Sequence, residues 1–501
     1  MSAAYAQQQQ VAAQQRSEQS KNFCPLPILL FSFIALGIFL LADLRIADAD
    51  IWFHLRNAQE LLSRYSFLRQ DLYTFTSLGS PLVNHEWLSE LAYYLAFRAW
   101  GLPGLLGLSM VLLGLIFGGV YYLAMLRGAD CGSAALVTGA GVVLGSYSFG
   151  PRMNLLGWLC LTALLIVLER FRRTGTRIWM AVPLFVLWIN LHGSWPFGLI
   201  VLAIYLLAGL GEFQVGTVAA KRWTSVELRK LCSVMIVTGC GLFVNPYGYK
   251  LVWYPFELLS RQRANVENVI EWQSVDFNTG WGKLALLMIL AILSAAWFSA
   301  ERWELSEILL VSFALWVSLT HIRFLLFAAI ILVPIVAPRV RFFANHEPRN
   351  DVPFMNLAVT VTIAVLIGIA YPSANQLQQV VDSSFPRNAL SFLRSRHPSG
   401  RLLNYYDFGG YIEWNAPEIQ TFADGRTDIF TYNGVFNDYI RINEIDRPLE
   451  LLDKYKIDYV LFPVEKRLTY LLDKSPGWRS IYADKVAKVY ERALITSTNP
   501  H

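Results

Sequence analysis

The residues DADIWFHLR, Asp48 to Arg56, place two carboxylates, a tryptophan, an imidazole and a guanidinium within nine positions. Two carboxylates spaced Asp-x-Asp beside His54 suit a hard divalent cation or a general base. The same pair also suits a helix start, because Asp48 and Asp50 favour the N-terminal end of a helix running through HLRNAQELL. Both readings can hold together. Further chemistry-bearing residues recur in short motifs: His85 and Glu86 in NHEW, Arg152 and Asn154 in GPRMNLLGW, and Asn190 and His192 in NLHGSW. Asn245 in NPYGYK, Glu271 in ENVIEW, and His321 and Arg323 in THIRF complete the set.

What must position them is a membrane protein. Of 501 residues 55% are hydrophobic and 16% charged, and the mean hydropathy is +0.39. A soluble chain carries about a quarter charged residues. Apolar runs such as LPGLLGLSMVLLGLIFGGVYYLAML, from Leu102, approach the ~20 residues that cross a bilayer. About eleven spans are expected, beginning near residues 25, 103, 133, 154, 178, 196, 231, 284, 305, 323 and 354. Basic loops at Glu169, Ala219 and Pro338 alternate as cytoplasmic loops if the N-terminus is inside, although ERWELSE at Glu301 is mostly acidic. On that topology the motifs above all fall at the outer ends of spans. Four of the seven histidines, His54, His85, His192 and His321, lie on this rim. Ionisable groups at membrane depth are costly and pair or line a cavity, so their convergence from separate spans marks an active site or a permeation vestibule. Any one of them taken alone is more often an interfacial anchor.

Residues 1–24, polar and Gln-rich, are expected to form a disordered cytoplasmic tail. Residues 25–371 are expected to form the transmembrane part, with a long outer loop at 44–101. Within that loop NHEWLSELAYYLAFRAWG suggests an interfacial helix. Residues 372–501 read as a small extracytoplasmic α/β domain. Helices are expected at RNALSFLRSRHPSG and LELLDKYKI, and strands at RLLNYYDF, IQTFADG and DYVLFPV. The five cysteines show no metal spacing and imply no disulfide framework. No basic stripe with interleaved aromatics points to nucleic acid.

This order of motifs resembles the GT-C superfamily of membrane glycosyltransferases, and within it most resembles the catalytic subunit of oligosaccharyltransferase. DADIWFHLRNAQELL resembles that family's first-loop acidic motif, which implies Asp50 as the catalytic, metal-binding carboxylate, with Mg2+ or Mn2+ as the cation. VENVIEWQSVDF resembles the outer loop whose glutamate reaches the site, here Glu271. HIRFLLFAAIILVP resembles the helix whose arginine meets the donor phosphate, here Arg323. NYYDFGGYI, with Asp407, resembles the signature opening the soluble domain, and FADGRTDIF, with Asp424, the acidic stretch after it. Members carry a second acidic motif where this chain reads GPRMNLLGW, without a carboxylate. The tyrosine-rich signature is also not the one that reads a peptide sequon.

The resemblance implies a multi-pass enzyme of the bacterial inner (plasma) membrane, with its N-terminus cytoplasmic, moving a sugar from a polyprenyl-(pyro)phosphate donor to an acceptor on the extracytoplasmic face. In that chemistry Asp50 takes the acceptor proton, and Arg323 or Arg56 meets phosphate charge. Without a metal, Arg152 would supply part of that charge. Asp48, His54, His85, Glu86, His192 and His321 would contact the substrates, and Trp52, Trp87 and Trp195 would stack on sugars or anchor the interface. A transporter or lipid-handling protein is the rival expectation, and a non-catalytic relative a third. Transport predicts polar groups near the midplane, whereas LALLMILAILSAAW from Leu284 is apolar through its middle.

Overall fold

The computed structural model describes residues 26–42, 46, 48–261, 269–299, 301–340, 352–396 and 399–493. The expected tail, 1–24, and His346, His397 and His501 lie outside them. Helix α1 (Leu26–Leu41) leads to two amphipathic helices, α2 (Asp50–Arg64) and α3 (Trp87–Trp100). There follow α4 (Leu102–Leu126), α5 (Cys131–Gly145), α6 (Asn154–Thr174), α7 (Ala181–Leu191), α8 (Trp195–Ala208) and α9 (Ser225–Gly241). Next come α10 (Tyr249–Arg261), α11 (Gly280–Phe298), α12 (Leu305–Thr320), α13 (Leu325–Val336) and α14 (Pro353–Ala370).

A helix stands at each of the eleven expected places. Among the described residues six are long and apolar enough to cross a membrane: Leu102–Leu126, Cys131–Ser148, Asn154–Thr174, Gly280–Phe298, Ile322–Arg339 and Pro353–Ala370. Four more, Leu26–Leu41, Ile178–Leu191, Trp195–Ala208 and Leu305–Thr320, are apolar but shorter. Helical form is what an apolar solvent demands, since it satisfies backbone groups within the segment.

Helix α13 is the interior member, with every residue from Leu325 to Val336 buried. It packs against α4, α5 and α12. The approach to α5 depends on small residues: a Cβ on Gly141 would lie 2.5 Å from Val333 Cγ2, and one on Gly145 2.8 Å from Leu326 Cδ1. Such stripes let helices approach where water exclusion gives no drive.

Beyond α14 the chain forms α15 (Ala374–Ser384), α16 (Arg387–Ser395), α17 (Gly409–Asn415), α18 (Thr427–Tyr432), α19 (Val435–Asn443), α20 (Pro448–Lys454) and α21 (Arg467–Asp473). Short strands β1 (Phe213–Val215), β2 (Val218–Ala220) and β3 (Trp303–Glu304) make one sheet. A second sheet, β4 (Arg401–Asn404), β5 (Ile457–Pro463), β6 (Trp478–Ala483) and β7 (Ala487–Arg492), has the order β4-β5-β7-β6. Strand β4 runs parallel to β5, and the other neighbours are antiparallel. The strand expected at IQTFADG is not formed. Thr421 instead makes an isolated parallel bridge to Thr74, tying this stretch to the loop between α2 and α3.

The C-terminal segment is seated on α2. Trp52 packs edge-on against Phe385 and Tyr411, at ring separations of 5.7 and 5.2 Å. Gly410 sits where a Cβ would lie 3.0 Å from the Phe53 nitrogen. Behind this contact Arg426, buried, meets Asp71 at 2.9 Å and also pairs with Asp424 and, at 3.8 Å, Glu413.

Candidate active site

Helix α2 begins at Asp50, and Asp48 Oδ1 accepts the Asp50 backbone N–H at 3.0 Å. The helix-start reading therefore holds, and it aims both carboxylates at the same end of the bundle. Their fates differ. Asp48 Oδ2 lies 3.0 Å from Arg152 Nε, in the turn between α5 and α6. The other arm of Arg152 lies 2.7 Å from Glu271 Oε1, in the loop before α11. Three remote stretches thus meet through one guanidinium. Burial works against both charges, yet the pairing raises the Arg152 pKa and holds Glu271 below the usual carboxylate value.

The Asp50 carboxylate has no salt-bridge or hydrogen-bond partner among the described residues. Gly425 of the C-terminal segment closes on it so nearly that a Cβ there would lie 2.0 Å from Asp50 Oδ1. Burial, followed by the charge of Asp48, raises the Asp50 pKa well above the ordinary value, while His54 and Arg152 pull it back. A buried carboxyl whose proton affinity is raised is the kind of group that perturbed surroundings single out as a functional-site candidate.

Next to Asp50 lies a histidine–glutamate cluster carried by α2, α3 and the end of α7. His54 Nδ1 is 2.9 Å from Glu90 Oε1 and His54 Nε2 is 3.6 Å from Glu86 Oε2. His192 Nε2 and His85 Nε2 approach Glu86 Oε1 at 3.1 and 3.7 Å. Burial disfavours the charged imidazole of His54, but Glu90 and Glu86 raise its pKa to about 9. Glu86, against the burial that would neutralise it, is held well below the usual value by His85, His192 and His54. Burial lowers His85, which stacks on Tyr254 at 4.6 Å. Tyr254 in turn donates to Asp428 at 3.0 Å.

On the far side, the Arg323 guanidinium lies over the Trp272 ring, 4.4 Å from its centroid, an arrangement that holds a cation by the ring's negative face. No carboxylate among the described residues lies within salt-bridge distance of it. His321 Nδ1 is 2.6 Å from the Trp272 carbonyl and so fixes the ring under Arg323.

Other expected site residues are engaged elsewhere. Arg56 turns back along α2 to Glu60, at 2.5 Å. Asp424 belongs to the Arg426 cluster behind the site. Asp407 is exposed on the turn after β4. Trp52 and Trp195 are core residues, 3% and 1% exposed, and Trp87 donates to Asn190 at 3.1 Å. Glu90, Tyr254, Gly425 and Asp428 were not expected. Of these only Glu90 had a visible signal, one helical turn beyond Glu86 on the same face.

The donor set does not fit the divalent cation that the resemblance implies at Asp50. Among the described residues no group of three or more His, Cys, Asp or Glu side chains converges as metal ligands. Arg152 lies between Asp48 and Glu271 instead.

This arrangement, an interior helix bundle with its polar groups at one end and a C-terminal α/β segment against them, has the GT-C fold. No known family profile and no curated protein matches the chain. Among solved structures it is similar to the oligosaccharyltransferase of Archaeoglobus fulgidus tethered to an acceptor peptide containing the NVT sequon. There the identity is 14% and the TM-score 0.56, over 93% of this chain and 74% of that one. The same organism's AglB, in complex with an inhibitory peptide and a dolichol-phosphate, gives 14% and 0.56 over 95% and 75%. ArnT from Cupriavidus metallidurans, bound to undecaprenyl phosphate, gives 13% and 0.52 over 95% and 99%.

Proposed function

We propose that the protein is a membrane glycosyltransferase that moves a sugar from a polyprenyl-(pyro)phosphate donor to an acceptor on the extracytoplasmic face. The observation that carries this is a division of labour among charges. Arg152, Asp48 and Glu271 hold one another, whereas the Asp50 carboxylate and the stacked Arg323 guanidinium are unpaired among the described residues. A donor whose phosphate binds at Arg323 presents the anomeric carbon of its sugar towards Asp50. Asp50 removes the proton of the acceptor hydroxyl or amine as the acceptor lone pair forms the new bond to that carbon. The carbon–oxygen bond to phosphate breaks, and its electron pair leaves on the phosphate oxygen, where Arg323 stabilises it. His85 and His192, beside Glu86, face sugar hydroxyls. Structural likeness to proteins solved with dolichol-phosphate and undecaprenyl phosphate supports a lipid-phosphate donor.

In this reading the eleven helices all cross, in a bacterial inner membrane, with 1–24 in the cytoplasm, 25–371 as the transmembrane part including loop 44–101, and 372–501 outside. The acceptor is not assigned to a peptide sequon, because Tyr405, Tyr406, Asp407, Phe408 and Gly409 stand at that signature. The test is transfer of labelled sugar from polyprenyl-phosphate donors by the protein in lipid. Asp50→Asn is expected to lower turnover by about 10²–10⁴-fold with the fold intact. Undiminished transfer by that variant would overturn the assignment of Asp50.

A further inference from the structure

We infer that Arg152 is a resident cation that holds the place between Asp48 and Glu271, so that the centre takes up no divalent ion. As chemistry this rests on the transferase reading above; as ion binding it does not. The guanidinium contacts carboxylates from two remote stretches, Asp48 at 3.0 Å and Glu271 at 2.7 Å. Its own backbone is anchored: Tyr93 donates to the Arg152 carbonyl at 3.2 Å and bonds Ser109 at 3.0 Å. Phe149 and Met153, on either side, are buried. Arg152 is therefore a fixture of the site rather than a side chain swinging in solvent.

A hard divalent cation gathers several oxygen ligands, carboxylates foremost. Here two of the three nearby carboxylates already face a fixed positive charge. An entering ion would have to break both pairs and leave the guanidinium beside it, uncompensated and largely desolvated. Asp50 alone offers too few ligands. The guanidinium instead fixes Asp48 and Glu271, and with them the loops that carry Asp50 and Trp272. It does so without a metal's coordination demands.

The experiment uses the full chain in lipid nanodiscs and Mn2+ as the probe, with the free-ion electron paramagnetic resonance signal as the readout. Wild type is expected to leave that signal undiminished. Arg152→Asp, which converts the fixed cation into a further carboxylate, is expected to take up one ion per chain, and adding Asp48→Asn is expected to release it. If Arg152→Asp does not elute as a folded species, Arg152→Asn, which exposes the same carboxylates, replaces it. Uptake by wild type that Asp48→Asn or Glu271→Gln abolishes would overturn the inference. Silence of both wild type and the folded variant would overturn it too, since Arg152 would then not be what keeps the ion out. Transfer assayed in parallel with chelator separates the two readings: absent transfer counts against the enzyme alone, and the ion measurements stand regardless.

Discussion

Two aspartates two positions apart differ because, among the described residues, Asp48 has a charged partner and Asp50 does not. Burial and the Asp48 charge raise the Asp50 pKa, and Arg152 opposes them. A base acts in its ionised form, so transfer is expected to fall as pH drops through this elevated pKa. The acidic limb of kcat/KM should therefore lie above the ordinary carboxylate range. Asp48→Asn removes a charge that raises the pKa and frees Arg152, so the limb should move to lower pH; Arg152→Gln should move it higher. A limb unmoved by both would mean that Asp50 is not the titrating group. The other lever on Asp50 is steric. A methyl at Gly425 would meet Asp50 Oδ1 at 2.0 Å, forcing the carboxylate or the 424–426 turn aside. A displacement of about 1 Å costs roughly 100-fold in rate, so Gly425→Ala is expected to lose about that much, chiefly in kcat. The readout is the kcat and KM pair measured on protein of unchanged thermal stability.

Helices α5 and α13 meet across glycines, and α13 begins two residues after Arg323, so packing in the bundle bears on the position of that guanidinium. Gly141→Ile would drive a branched side chain into Val333, 2.5 Å from where its Cβ would stand. Overpacking of this kind costs about 1–3 kcal/mol. Thermal unfolding in detergent is expected to show that loss, with weaker donor binding as α13 shifts; an unchanged midpoint would mean that the helices separate freely. The same scale explains what the sequence disclosed. The helices were legible because apolar runs and polar breaks are local. The gathering of His54, His85, His192, Glu271 and Arg323 at one end was legible because each lies near the end of a span or in the long loop between the first two. Their pairing was not: Arg152 bridging Asp48 and Glu271 depends on where remote segments meet, whereas Arg56 with Glu60, one helical turn apart, is a local pair that i,i+4 spacing could have disclosed. Strand β6 was missed because WRSIYA carries exposed residues that mute its alternation at a sheet edge, and β7 because AKVYER is short and half of its residues are charged.

Seen whole, the molecule has charged clusters at both ends of its bundle, of unlike character. At the end opposite Asp50, Arg127 lies 3.4 Å from Glu169 and 3.2 Å from Glu307, and Arg339 is 2.6 Å from Glu307. Arg172 also pairs with Glu304. The acidic ERWELSE thus compensates arginines of neighbouring loops, which is why the basic bias of that side looked moderate in the sequence. At the site end, the Arg426 cluster joins the loop between α2 and α3, through Asp71, to the C-terminal segment, through Asp424 and Glu413. Removing the one buried cation leaves three buried carboxylates uncompensated; breaking such a group costs about 3–5 kcal/mol. Because Gly425 adjoins Arg426, the same loss would loosen the wall against Asp50. Arg426→Met is therefore expected to loosen the seat of the C-terminal segment without unfolding the apolar bundle, with faster hydrogen exchange in 71–76 and 421–428 than in α13, and to lower transfer. Combining it with Asp71→Asn and Asp424→Asn, which leaves only Glu413 of the three carboxylates, should restore part of the protection. Uniformly faster exchange, reaching α13, would mean that the cluster supports the whole fold and is not a local latch.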